Sequence, residues 1–180
     1  MTSNLSINLP NSVHMFMAHK GGVGKTTLAA LLCEWVMKQG VRPVVFDADA
    51  KNQESCIGAY TALRARRLAE NLIVTGADGL QTISPVGFSS LLESVLMEDG
   101  PHVIDTGANS YTQWLNYMQE MSLVDLLEES ARTLYLHAIV AGGEMCAETV
   151  LGVLELVEKL PTAKVVLWVN QPNALARMAG

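Results

Sequence analysis

Three consecutive segments near the start leave this chain few ways to fold. Residues 13–18 form a short apolar run, Val-His-Met-Phe-Met-Ala. The glycine-rich stretch Lys20-Gly21-Gly22-Val23-Gly24-Lys25-Thr26-Thr27 follows almost at once. Leu28, Leu31, Leu32, Trp35 and Val36 then recur at helical spacing, and Gly40 stands where a helix would be capped. The order is therefore buried strand, tight glycine turn, amphipathic helix. Gly21, Gly22 and Gly24 permit positive φ, so successive N–H groups can turn inward around phosphate oxygens. The start of the helix adds the positive end of its dipole to the same place. Lys25 supplies a charge for the β- and γ-phosphates and the Thr26 hydroxyl a ligand for Mg²⁺. The stretch fits the phosphate-loop pattern G-x-x-x-x-G-K-[ST] except at its first glycine, where His19 stands, followed by Lys20.

Downstream, apolar runs alternate with helical patterns to the end of the chain. Strands are expected at 41–46, 102–107, 133–140 and 165–170, with 72–74 as a possible edge strand. Helices are expected at 52–71, 88–96, 114–121, 124–129 and 148–160, the last stopped by Pro161. Residues 1–12 read as a flexible leader. Such alternation gives an α/β fold of three layers, a mostly parallel sheet with helices on both faces, in one domain over 1–180. The chain is 49% hydrophobic and 17% charged, which suits strands buried on both faces.

Two strands end in carboxylates, where open α/β sheets collect ligands. The strand over 41–46 runs into Asp47-Ala48-Asp49, a pair expected to point in different directions and so to take separate tasks. The structural alternative, a turn or helix cap, accounts for one of the two but poorly for both. The strand over 102–107 ends in Asp105-Thr106-Gly107, an acid placed to support Mg²⁺ and a glycine that lets a loop approach the γ-phosphate.

Other residues receive plainer readings. His14 and His137 sit within strands and are expected to be packed in the core. Cys33, Cys56 and Cys146 have no metal-binding spacing and read as buried free thiols of a reducing cytosol. Arg64, Arg66 and Arg67 could suggest nucleic acid, but with no aromatic interleaving they read as a solvated helix face. Twelve Lys and Arg against 18 Asp and Glu give a net charge of −6, which argues against strong direct DNA binding. No apolar run approaches the roughly 20 residues of a membrane span.

The loop with Lys20 ahead of Gly21 to Thr26 resembles that of the deviant Walker A ATPases, the superfamily of ParA partition proteins, MinD and nitrogenase iron protein. Within it, the stretches 103–110, 136–143 and 166–170 resemble the TraL proteins of conjugative plasmids. The resemblance implies a P-loop NTPase fold of the SIMIBI type and a bacterial, cytoplasmic ATPase. It implies ATP and Mg²⁺ as cofactors, a homodimer formed on ATP, slow hydrolysis and a role in conjugative transfer beside other conjugation or partition proteins. Position by position, Lys25 would bind the β- and γ-phosphates of its own subunit. Lys20 would be the signature lysine that reaches the phosphates of the partner subunit. Gly21, Gly22, Val23 and Gly24 would form the cradle and Thr27 would bond the α-phosphate. Thr26 would ligate Mg²⁺, Asp47 and Asp105 would support it through water, Asp49 would position the attacking water, and Asn170 would read adenine.

The pattern departs from the superfamily in two places. Ala50-Lys51-Asn52 follows the Asp-x-Asp where partition proteins usually have Pro-Gln, and the chain ends at Gly180, several dozen residues before such relatives do, as expected of either a fragment or a shortened homologue with an incomplete base pocket. Three alternatives stay open. They are a ParA-type partition ATPase that binds DNA without sequence preference, a dethiobiotin synthetase-like metabolic enzyme, and a nucleotide-binding interaction module that does not turn over.

Overall fold

A computed structural model describes residues 9–49, 57–68 and 73–171. Six strands form one sheet, every pairing in it parallel. In chain order they are β1 (Ser12–Met17), β2 (Val44–Ala48), β3 (Arg66–Arg67), β6 (His102–Thr106), β7 (Thr133–Ala141) and β8 (Lys164–Asn170). A separate antiparallel hairpin joins β4 (Ile73–Thr75) to β5 (Gln81–Ile83). The order across the main sheet is β3-β2-β6-β1-β7-β8. β1 is therefore central and buried along its whole length, flanked by two strands distant in sequence. The expected α/β architecture is the one found.

Among the described residues five helices cover the sheet: α1 (Lys25–Lys38), α2 (Pro85–Met97), α3 (Tyr111–Glu120), α4 (Leu123–Glu129) and α5 (Cys146–Lys159). They divide unequally. α1 packs Ala29, Ala30 and Cys33 against Phe16, Val45 and Val103, joined by Ile57 and Leu63. On the opposite face, α2 to α5 bury Phe88, Leu91, Trp114, Leu115, Met118, Leu127 and Leu156 against Val13, Met15, Ile104 and Leu136. Alternate residues of one buried strand feed these two clusters because side chains change face at every step. The start of α2 is set by sequence: Ser84 accepts a hydrogen bond from the Gly87 N–H at 3.4 Å, and Pro85 occupies the first helical position.

The helix expected over 52–71 is not there in the described part. Residues 57–63 form two short 3₁₀ turns, Arg64 takes the left-handed conformation at φ 51°, and Arg66–Arg67 join the sheet beside β2. Arg66 forms an ion pair with Glu98 and lies 5.8 Å from the Phe46 ring centre, so the solvated-helix reading of these arginines is replaced by an edge strand tied to α2. Local helical pattern loses here to pairing with a strand edge. The possible strand at 72–74 is realised as one arm of the hairpin, whose second arm the sequence reading did not include. The flexible leader does not reach residue 12: Leu9–Asn11 form a 3₁₀ turn and Ser12 is buried in β1, while 1–8 lie outside the described residues.

His14 and His137 are core residues as expected, and they are bonded to each other. The Trp168 indole N–H donates to His137 Nδ1 at 2.9 Å, which leaves the proton of that ring on Nε2. That nitrogen lies 2.9 Å from His14 Nδ1, and His14 Nε2 lies 2.9 Å from Ser12 Oγ, which donates to the Leu9 carbonyl. Because an indole can only donate, it fixes the direction of the whole chain and holds both imidazoles neutral. Cys33 is buried, with its pKa pushed up to about 12 chiefly by desolvation. Cys146 is exposed, contrary to the buried reading, and Cys56 lies outside the described residues.

Candidate nucleotide site

The glycine loop connects the buried end of β1 to α1 at the carboxyl edge of the sheet. Gly22 and Gly24 have φ of 74° and 100°, conformations open to glycine at little cost. Gly24 is the N-cap of α1 and offers no side chain, so the first-turn N–H groups have no side-chain cap and remain available to an anion. A Cβ added at Gly21 or Gly22 would meet nothing within 4 Å, so no neighbouring side chain crowds these two residues.

The two lysines of the loop face different surroundings. Lys25 opens α1 and is buried, with 7% of its surface exposed. Desolvation pushes its pKa down, while the carboxylates of Asp105 and Asp49 push it back up. Lys20 lies outside this pocket and forms a 2.7 Å ion pair with Glu148 of α5.

Asp105 is the electrostatic centre of the site. It is fully buried at the end of β6, directly across from Asp47 on β2, and neither of its carboxylate oxygens has a hydrogen bond of full geometry. Burial raises its pKa to about 6; the Thr26 hydroxyl and Lys25 pull it down, and Asp47 and Asp49 push it up. Asp47 and Asp49 both raise the Asp105 pKa through their charge. Asp47 Oδ1 also accepts the Asp49 N–H at 3.1 Å, which shapes the turn leaving β2.

Gly107 allows the two strand ends to meet. A Cβ there would stand 2.7 Å from Asp49 Oδ1, so any side chain at this position would push the Asp49 carboxylate from its place against this loop. Beside it, Thr106 Oγ1 donates to the Phe16 carbonyl at 2.7 Å and Ser110 Oγ to the Gly107 carbonyl at 2.9 Å. At the far end of the sheet, Asn170 Nδ2 donates to the Val23 carbonyl at 3.0 Å, tying β8 to the glycine loop.

The buried, unsatisfied Asp105 beside the Thr26 hydroxyl is suited to a cation bound nearby. Among the described residues no three His, Cys, Asp or Glu side chains converge to hold a metal by themselves. An ion here would need a nucleotide phosphate and water as further ligands. The residues present fit a magnesium nucleotide on that basis.

This glycine loop, with acids at the ends of the neighbouring strands, is matched over residues 14–170 by the model of the CobQ/CobB/MinD/ParA nucleotide-binding domain. The chain belongs to that family. It is similar to two TraL proteins of Escherichia coli, 33% and 31% identical over 159 residues, which are 88% of this chain and 62% of each relative. The chain thus spans less than two thirds of the length of these curated relatives. Among solved structures it resembles a plasmid partition protein of Borrelia burgdorferi, with TM-score 0.53, 15% identity and coverage of 89% of this chain and 78% of that one. It also resembles MinD in the MinC:MinD cell division complex of Aquifex aeolicus, with TM-score 0.51, 18% identity and coverage of 93% and 72%. At these identities the structural likenesses establish the fold alone. Members of this family are generally ATPases.

Sequence reasoning missed Glu148, Tyr111 and Gly152, which gather where Lys20 emerges. Tyr111 Oη donates to the Gly152 carbonyl at 2.6 Å, and His19 stands edge-on to the Tyr111 ring with centroids 5.5 Å apart. Nothing local marks these residues, because they come from α3, α5 and the loop and meet only in the fold.

Proposed function

We propose that this chain binds ATP with Mg²⁺ at the glycine loop, dimerises on it and hydrolyses it slowly, acting as an assembly switch in conjugative transfer. The observation that carries the reading is the division of labour between the two lysines. Lys25 is buried against Asp105 and Asp49, whereas Lys20 lies 45% exposed and turned away onto Glu148. One cation serves the phosphates within the subunit; the other is available to a second subunit.

In this reading the first-turn amides of α1 and Lys25 hold the phosphates, and Thr27 bonds the α-phosphate. Thr26 would hold Mg²⁺, with Asp47 and Asp105 supporting it through water. Held there, the ion would supply charge neutralisation for the transferring phosphoryl group. Asp49, seated against Gly107, orients the attacking water. Asn170 presents its carboxamide beside the loop and contributes to the adenine pocket. A cation supplied across a dimer interface is worth about 10³–10⁵ in rate. Lys20 in that role makes turnover depend on assembly. The sequence likeness to TraL supports the place in conjugation, and the net charge of −6 supports protein partners over DNA.

Light scattering with and without a non-hydrolysable ATP analogue tests this. The wild type should double its mass with the analogue. Lys25→Ala should lose nucleotide binding, and Lys20→Ala should keep binding but lose both assembly and hydrolysis. Full ATPase activity in Lys20→Ala would overturn the cross-subunit assignment. DNA binding with a steep salt dependence would instead favour the partition reading.

A further inference from the structure

Lys20 is held at the start of the glycine loop by contacts from two helices. Glu148 lies in the first turn of α5, 2.7 Å from the Lys20 ammonium, with half of each side chain exposed at 45% and 52%. By itself a surface pair of this kind carries little meaning. What distinguishes this one is the rigidity of both ends. One turn beyond Glu148, Gly152 lies against His19, the residue before Lys20. A Cβ on Gly152 would come within 3.0 Å of the His19 Cβ. Tyr111, at the start of α3, bonds the Gly152 carbonyl and packs on the His19 ring. The start of the glycine loop, the helix that follows the Asp105 strand and the first half of α5 are thereby pinned at one point. Glu148 is presented to Lys20 from a fixed base.

We propose that Glu148 is a positioning residue that holds Lys20 in a resting place and so sets how readily this chain assembles on nucleotide. The inference rests on the assignment of Lys20 to a partner's phosphates. An ammonium held on Glu148 cannot at the same time serve a phosphate in a second subunit, so pairing at one site competes with assembly at the other. The pair is weak enough to be outcompeted by the charge of a nucleotide triphosphate, which makes it a bias on assembly and no lock. The Tyr111–Gly152–His19 contact carries that bias, because Tyr111 follows closely on Gly107, against which Asp49 of the β2 end lies. A change at the nucleotide therefore bears on the base from which Glu148 is presented.

The test is Glu148→Gln in the full chain, titrated in protein concentration with a magnesium-loaded, non-hydrolysable ATP analogue. The midpoint for assembly should fall by about two- to five-fold, the range expected from releasing an exposed ion pair. Nucleotide affinity of the dilute monomer should not change. Glu148→Lys should shift the midpoint further in the same direction. The difference from wild type should vanish near 1 M salt, where screening extends only about 3 Å. Hydrogen exchange of the Lys20 ammonium, followed by ¹⁵N NMR in the nucleotide-free monomer, should quicken in Glu148→Gln. An unchanged or raised midpoint in a wild type that does assemble would overturn the role of Glu148 alone. A wild type that fails to assemble while its Lys20 ammonium stays protected would overturn the proposed function instead, and the role of Glu148 with it.

Discussion

Acid should weaken this fold in a way that exposes two opposed charges in its interior, and Asp105→Asn should separate them. His14 and His137 are neutral in the folded chain because their four ring nitrogens are committed to the run of bonds from Trp168 to Ser12. A further proton on either ring would set two donors face to face. Burial holds His14 down at about 4 and His137 at about 3, against 6.5 for a free imidazole. Below pH 6.5 the unfolded chain therefore takes up protons that the folded chain refuses, and stability falls as the pH falls. Each such group removes about 1.4 kcal/mol per pH unit, which amounts to about 3 kcal/mol for His14 over its whole span. His102, also lowered by burial, acts in the same direction.

Asp105 opposes them. Its folded pKa lies near 6 and its unfolded value near 3.8, so between those values the folded chain binds the extra proton and gains stability on acidification. Asparagine at position 105 cannot titrate and removes this offset. Urea unfolding at pH 6.0, 5.5 and 5.0 should give a stability that declines for both proteins. The decline from pH 6.0 to 5.0 should be steeper in Asp105→Asn by about 1 kcal/mol, because a group with a folded pKa near 6 takes up only part of a proton over that window. The slope is the quantity to compare, since the substitution also alters absolute stability. Parallel slopes would refute the raised Asp105 pKa. A stability that holds or rises on acidification in Asp105→Asn would refute the neutral histidine chain.

Three further substitutions examine single contacts. Gly107→Ala places a methyl 2.7 Å from Asp49 Oδ1, so it should lower ATP turnover about tenfold or more while nucleotide affinity, measured by fluorescence titration, stays within a few-fold. Gly24→Ala puts a side chain at φ 100° and 3.3 Å from Asn170 Nδ2; it should weaken nucleotide binding by calorimetry even where the thermal midpoint changes little. Trp168→Phe leaves His137 Nδ1 buried without a donor and should lower unfolding free energy by about 1–3 kcal/mol, with nucleotide binding unaffected.

Much of the scaffold was legible because its signals are local. The apolar run of β1, the glycines of the loop and the periodicity of α1 are contiguous, and each names its own conformation. The apolar spacing of Phe88, Leu91, Leu92, Val95 and Leu96 marks most of α2 in the same way, though its start at Ser84-Pro85 was not read. The stretch at 57–68 was misread because its outcome depends on a strand edge supplied by β2 and on Glu98 just past the end of α2, neither of which is encoded nearby. The aspartates were found but their mutual influence was not. The joint effect of Asp47 and Asp49 on Asp105 depends on the register that sets β2 beside β6.

By itself, then, the sequence determined which groups could meet a phosphate: glycines free to take positive φ, a lysine and threonine opening a helix, and acids ending two strands. Those are properties of short segments, fixed by backbone sterics and side-chain chemistry. Only the tertiary structure decided what each charged group faces. It buried Lys25 and Asp105 together, turned Lys20 out onto Glu148, and joined His14 to His137 across neighbouring strands. These outcomes depend on residues far apart in the chain, brought together by the crossing order of a parallel sheet. Desolvation and charge pairing take their size from that arrangement, so composition and spacing could not supply it.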